Sequence, residues 1–272
     1  MNLFETYTGA DFLAFYAVML ATCVGLGLWI PANLRPQGRK GSLEDPEEIA
    51  LLSGGAQRHA LTVLADLYVQ GAIEKSKKAK VSVTRTQVDT SSAGAAVLVK
   101  VGDFSLSETM RSLRDHASQI EKRLIKRGLM MNSGDVMKLR LWSIAPYAAL
   151  ILVGFYRQQA GKELGEPTGF LIALLLATAI FAAIRASTMN PRTMAGNLVL
   201  KNWRERSSRL KRAPEGGEVP LAVGLFGTGV LAGTPFAHVH AMRQAASGGD
   251  SGSGDSDGGG GGCGGGCGGC GG

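Results

Sequence analysis

The chain has 272 residues, a hydrophobic fraction of 45% and a formal net charge of +7, enough for one or two domains of ordinary size. Its four cysteines include one, Cys23, outside the terminal glycine run, which excludes a disulfide-stapled fold. The apolar residues gather into discrete segments with charged stretches between them, the profile of a membrane protein with soluble parts.

Residues 1–11 form a short, acidic N-terminus carrying Glu5 and Asp11. "FLAFYAVMLATCVGLGLWI", 12–30, follows without a charge, long enough as a helix to cross a hydrocarbon core of about 30 Å. A cleaved signal peptide would begin with a basic flank and have a shorter apolar run, so 12–30 is expected to be the first transmembrane helix.

Residues 31–140 read as a compact soluble domain. In "EDPEEIALLSGG" Pro46 suits a first helical turn, and Glu47 and Glu48 lie at its positive end. Gly54 and Gly55 carry no GxGxxG or GKS/T pattern and are expected to form a turn between helices. "LTVLADLYVQGAIE" places Leu61, Leu64, Leu67 and Tyr68 at helical spacing before Gly71. "SLSETMRSLRDHASQIEKRLIKRGLM" repeats the device, with Ser107 as the expected N-cap, a stripe of Met110, Leu113, Ala117, Ile120 and Leu124, and Gly128 as the stop. Beyond "NSGD", Met137, Leu139 and Leu141 alternate with Lys138 and Arg140 as in a strand. Helix, glycine, strand and hairpin is the order of a winged-helix module. The basic clusters "EKSKKAK" and "EKRLIKRG" admit DNA, but nothing here resembles a base-reading stretch. Protein contact, or apposition to anionic lipid, is the expected use.

Residues 141–156 and 169–184 are the second and third expected spans, joined by a short turn at 157–168 into an antiparallel hairpin. Ala148, Ala149, Gly154, Ala173 and Ala177 are small enough for close helix contact. Positive charge marks the cytoplasmic side. "NLRPQGRK" follows the first span, and 185–219 opens with Arg185, Arg192, Lys201, Arg204, Arg206, Arg209, Lys211 and Arg212 against Glu205 alone. The expected topology has the N-terminus outside and the domain in the cytoplasm. The apolar stretch 220–237 has four glycines, which favours a packing helix over a fourth span.

Residues 238–272 begin with His238 and His240 and end in "GGGGGCGGGCGGCGG". Glycine loses the most backbone entropy on ordering, so a disordered Gly/Cys-rich tail is expected. Cys263, Cys267 and Cys270 have the spacing C-x3-C-x2-C. With His238 or His240 they are the one candidate metal set, for zinc or copper. No HExxH, GxSxG, Walker A or paired-carboxylate motif is present. No catalytic residue, resident cofactor or enzymatic activity is therefore expected.

Taken together, "DPEEIALLSGG", "ALTVLADLYVQGAI", "LIKRGLM", "PRTMAGNLVL", "LAVGLFGTGVLAG" and the terminal Gly/Cys run resemble a family of bacterial membrane proteins. That family is defined by a membrane-associated domain followed by a low-complexity Gly/Cys tail. The resemblance covers about residues 10 to 272 and implies an architecture without an assigned activity. The expected protein is a mainly α, inner-membrane protein with three spans, or four, and a cytoplasmic α+β winged-helix-like domain. Its partners are the lipid bilayer and a protein, in preference to nucleic acid; the alternative functions are metal or thiol handling by the tail and membrane-tethered nucleic-acid binding.

Overall fold

The computed structural model describes residues 9–39, 41–77, 79–163, 169–212 and 214–247. The chain is mostly helical, with one small antiparallel sheet. Three of the described helices are long and apolar enough to cross a membrane: α1 (Gly9–Asn33), α6 (Ser133–Glu163) and α7 (Gly169–Ser187).

These three pack into a bundle around Phe12, Tyr16, Cys23, Tyr147, Leu150, Leu171 and Leu175. Thr178 Oγ1 donates to the Leu174 carbonyl at 2.8 Å, so its oxygen is left to accept from Tyr16 Oη at 3.2 Å. Close approach depends on two glycines. A Cβ on Gly154 would sit 2.7 Å from Leu175 and 3.0 Å from Tyr16, and one on Gly27 would sit 2.8 Å from Tyr147 Oη. Ala148, Ala149 and Ala173, by contrast, face outward. Ala177 is half-buried, and the tight small-residue contact falls at Gly154. Gly154→Leu is expected to splay the bundle, at about 1–3 kcal/mol of overpacking; lost resistance of the detergent-solubilised protein to heat and trypsin measures this.

One expected element is corrected. Met137, Leu139 and Leu141 do not form a strand, because α6 starts at Ser133, with Asp135 in its first turn. Buried Leu139, Ser143, Tyr147, Leu150, Gly154 and Arg157 continue one helical stripe through the expected boundary at 141. Met137 and Leu141 are exposed. The three-residue alternation was a fragment of that longer period.

Outside the three long helices the described chain has two adjoining cores, threaded by α2 (Pro46–Val69). Its proximal half packs Ile49, Leu51 and Leu52 against α5 (Arg114–Lys126) through Ile120 and Leu124, and against α8 (Met194–Arg206) through Leu200. Its distal half packs Leu61, Leu64 and Leu67 against α3 (Ser92–Leu98), α4 (Leu106–Ser112) and α10 (Ala237–Ser247). The hairpin β1 (Ile73–Lys75) and β2 (Val81–Val83) follows α2, with Ile73 opposite Val83, and Phe104 bridges to Val81 on its far side.

The glycine stops hold as conformations: Gly71 and Gly128 both have left-handed φ, +66° and +75°. The N-cap moves from Ser107 to Ser105, because Glu108 lies three residues beyond Ser105 and closes a capping box with it. A break at Leu113 divides the single expected helix into α4 and α5. The domain expected over 31–140 also draws α8, α9 (Val219–Phe226) and α10 into its cores. The apolar stretch 220–237 resolves into α9, eight residues or about 12 Å of rise, a 3-10 turn at Thr228–Leu231 and the approach to α10. Val219, Ala222, Val223 and Leu225 of α9 are fully buried.

Where bundle and domain meet, three chain passages lie side by side. Met194 N donates to Pro36 O at 3.0 Å, Ala195 N to Gln37 O at 2.9 Å, and Arg39 N to Gly128 O at 3.3 Å. Met131 N donates to Pro191 O at 2.7 Å, and Thr193 N to Leu129 O at 3.1 Å. Thr193 Oγ1 adds bonds to the Gly128 and Leu129 carbonyls. The segment leaving α1, the one entering α6 and the one leaving α7 are thus stitched into a neck.

Candidate functional site: the crook of α2

Each polar residue of "DPEEIALLSGG" has a structural task. Asp45 caps α2 by accepting from Glu47 N at 2.9 Å. Gly54 and Gly55 then leave helical geometry, Gly55 at φ +70° and ψ −164°, a region open essentially to glycine alone. The resulting crook folds the distal half of α2 back toward its start. Twelve residues along a straight helix separate side chains by about 18 Å; here Glu47 Oε2 lies 2.9 Å from His59 Nε2.

His59 is fully buried. Glu47 also accepts from Ser91, whose Oγ caps α3 by accepting from Gly94 N at 3.1 Å. Burial acts to raise the Glu47 pKa, but the hydrogen bonds from His59 and Ser91 and the charges of His59 and His116 outweigh it. The carboxyl is held below the usual range. Asp66 shifts the other way: burial raises it and the Glu47 charge adds to this, while Gln70 counters at 3.0 Å. His59 Nδ1 and Thr62 Oγ1, one helical turn apart, are buried without a hydrogen-bond partner.

These opposed shifts predict a pH response. Glu47 contributes stability that is full above the ordinary carboxylate range and lost as pH falls through its lowered value. Glu47→Gln should therefore lower the unfolding temperature at pH 7 and flatten its decline in acid. Asp66, with its raised value, favours the fold when protonated, and that contribution is lost as pH rises through the raised value. Asp66→Asn, which keeps the Gln70 contact, should raise the unfolding temperature at pH 7 and change it little at pH 4. Thermal melts of both variants between pH 4 and 8 check the two signs together.

The outer side of the crook is held by arginines. Glu48, 4% exposed, pairs with Arg127 at 2.7 Å and Arg123 at 3.7 Å. Arg192 Nε donates to Leu52 O at 2.6 Å, and its Nη2 donates to Ser53 O, so one guanidinium takes the carbonyls that the crook leaves open. Ser53 Oγ donates to Gly224 O. Arg58 and Arg204 donate to Leu225 O at 3.5 Å and 3.3 Å, ending α9 in the same way. Arg192, within "PRTMAGNLVL", was read from sequence only as one of the positive charges after the third span; the signal that bore on its structural role was a lone arginine beside a proline ahead of a helix. Glu47 and His59 were visible only as separate residues.

The crook encloses His59 completely and gives a substrate no access to it. The candidate metal residues lie elsewhere. His238 Nε2 donates to Lys80 O at 3.0 Å and its ring tilts against Tyr68. His240 engages Thr228 Oγ1 at 3.1 Å through Nδ1 and the Gln244 amide at 3.0 Å through Nε2. Cys263, Cys267 and Cys270 lie outside the described residues. No group of three or more His, Cys, Asp or Glu among the described residues is arranged to hold a metal ion. Comparison with protein-family models, with curated proteins and with solved structures finds no match to this chain.

Proposed function

We propose that the protein is a membrane-tethered scaffold whose soluble domain binds a protein partner, and that it acts by contact rather than catalysis. The observation that carries this reading is the loop between α3 and α4. Val99 is 80% exposed and Val101 99% exposed, on a loop that is itself pinned. Lys100 between them lies over the Phe104 ring at 5.4 Å and donates to Glu108 O at 3.0 Å, and Phe104 is buried against Val81. A fixed loop that holds two valines in water suits an apolar recess on a partner. The loop belongs to the distal core, away from the neck.

The module that carries it, helix, left-handed glycine and hairpin, is in our reading a winged-helix-like domain used for protein contact. The basic residues that follow α1 and α7 support our reading of it as cytoplasmic in a bacterium, with the N-terminus outside the inner membrane. The described fold of α9 supports the three-span topology, and the resemblance seen in the sequence implies the same arrangement.

A photo-crosslinking residue placed at position 99 or 101 in living cells tests the contact, with Lys122 on α5 as an exposed control. One discrete protein adduct at 99 and 101, absent at 122 and weakened by Val101→Asp in a probe-at-99 background, is expected. Identical adducts at all three positions, or none, would end the scaffold reading. Maleimide labelling of a single cysteine at Gln87, with Cys23 and the tail thiols replaced, tests the side: reaction only after the inner membrane is opened is expected.

A further inference from the structure

Three arginines stand at the level where the bundle meets the neck, two of them, Arg35 and Arg185, within electrostatic range of each other. Ile30, Leu139 and Met189 share one small buried cluster with Met131, which sets the domain-proximal ends of α1, α6 and α7 at one level. Arg140 adjoins Leu139. One turn further into the bundle from Leu139 and Met189 stand Ser143 on α6 and Arg185 on α7. Arg185 is within electrostatic range of Tyr147, the next turn of α6, and of Arg35, just beyond α1. Burial, and then the like charge of Arg185, lower the pKa of Arg35, whose Nη1 donates to the Arg192 carbonyl at 3.1 Å.

This level of the molecule holds unanswered donors. Arg140 Nε, Arg185 Nε and Ser143 Oγ are all buried without a hydrogen-bond partner, and Ser143 is 0% exposed. Arg140 and Arg185 have no carboxylate at ion-pair distance among the described residues. The contrast with the soluble domain is direct: there Arg127 meets Glu48 and Arg192 meets two carbonyls. Gathering like charges and leaving buried N–H groups unmet costs stability. A tetrahedral anion offsets both costs, because phosphate oxygens match the guanidinium fork and accept from a hydroxyl.

We propose that Arg35, Arg140, Arg185 and Ser143 form a binding site for a phosphate group at the inner end of the bundle. The proposal rests on the reading that the three helices cross a bilayer, since their ends then lie at headgroup level. That position favours an anionic phospholipid as the carrier of the phosphate over phosphate free in solution.

The full-length protein, purified in a non-ionic detergent, is melted with short-chain phosphatidylglycerol, short-chain phosphatidylcholine or inorganic phosphate. A rise of several degrees with phosphatidylglycerol alone is expected. An equal rise with inorganic phosphate upholds the site and assigns it to the free anion. An equal rise with phosphatidylcholine, or no rise with any of the three, overturns it. In Arg185→Gln the phosphatidylglycerol concentration for half the effect should rise about tenfold or more, and in Ser143→Ala by a smaller factor. A binding arginine and a structural one differ in the ligand-free protein. Removing a like charge should leave Arg185→Gln at least as stable as the parent without lipid, whereas a drop in stability with the lipid response intact overturns the assignment. Ser143→Ala, a small change inside one helix, keeps the test open should the arginine variant fail to fold. Alkaline extraction of native membranes separates the two failures. Release of the protein refutes the membrane reading itself; retention with flat melts refutes the phosphate site alone.

Discussion

Arg192→Ala is expected to destabilise the protein by about 3–6 kcal/mol, from two charge-assisted bonds worth roughly 1.5–3 kcal/mol each. The residue is 8% exposed, and its guanidinium holds the Leu52 and Ser53 carbonyls at the crook of α2. Alanine leaves both carbonyls buried and opens a gap the size of the side chain. Its backbone also takes part: Arg192 bridges to Met130 and its carbonyl accepts from Arg35. For a chain of this size, about 2–4 °C is lost per kcal/mol, so the unfolding temperature in detergent should fall by roughly 10 °C. Arg192→Lys keeps the charge without the planar fork and should recover less than half of the loss. A melt within 2 °C of the parent, about the effect of 1 kcal/mol or less, would show that the crook is held by other contacts.

The second large effect is expected at Gly55. No atom lies within 4 Å of where its Cβ would stand, so Gly55→Ala introduces no clash. Its cost is purely conformational, about 1–3 kcal/mol for an alanine forced into the glycine region of the φ,ψ map. The substitution also presses the crook toward a continuous helix, which would part Glu47 from His59. The signature is therefore double: a lowered melt at pH 7, and loss of the acid-side slope that Glu47 supplies. A lowered melt with that slope unchanged would mean that the two halves of α2 are held together independently of the glycine turn. Thermal melts across pH 4 to 8 separate the outcomes.

How far these features could be read in the sequence differs by element. α1 and α7 were legible because an unbroken apolar run has a single physical meaning at that length. α6 was legible in its middle only, since Met137, Leu139 and Leu141 carry both a two-residue and a 3.6-residue pattern over so short a window. The left-handed glycines at 71 and 128 were legible because helix ends demand that conformation. The crook was half legible: a double glycine announces a break, but the direction of the bend decides which side chains meet. Glu47–His59 and Arg192–Leu52 span 12 and 140 residues of sequence, and neither pairing has a local signature. The candidate metal set joined two histidines that the fold engages elsewhere to three thiols beyond the described residues.

The neck joins bundle and domain through three passages rather than one. A single linker would let the domain swivel over the bilayer. Paired segments at 36–39, 128–131 and 191–195 remove that freedom, so a pull on the Val99–Val101 loop arrives at the helices as a torque. The domain is then a lever arm with a fixed bearing, and a force applied to it is shared by all three helices.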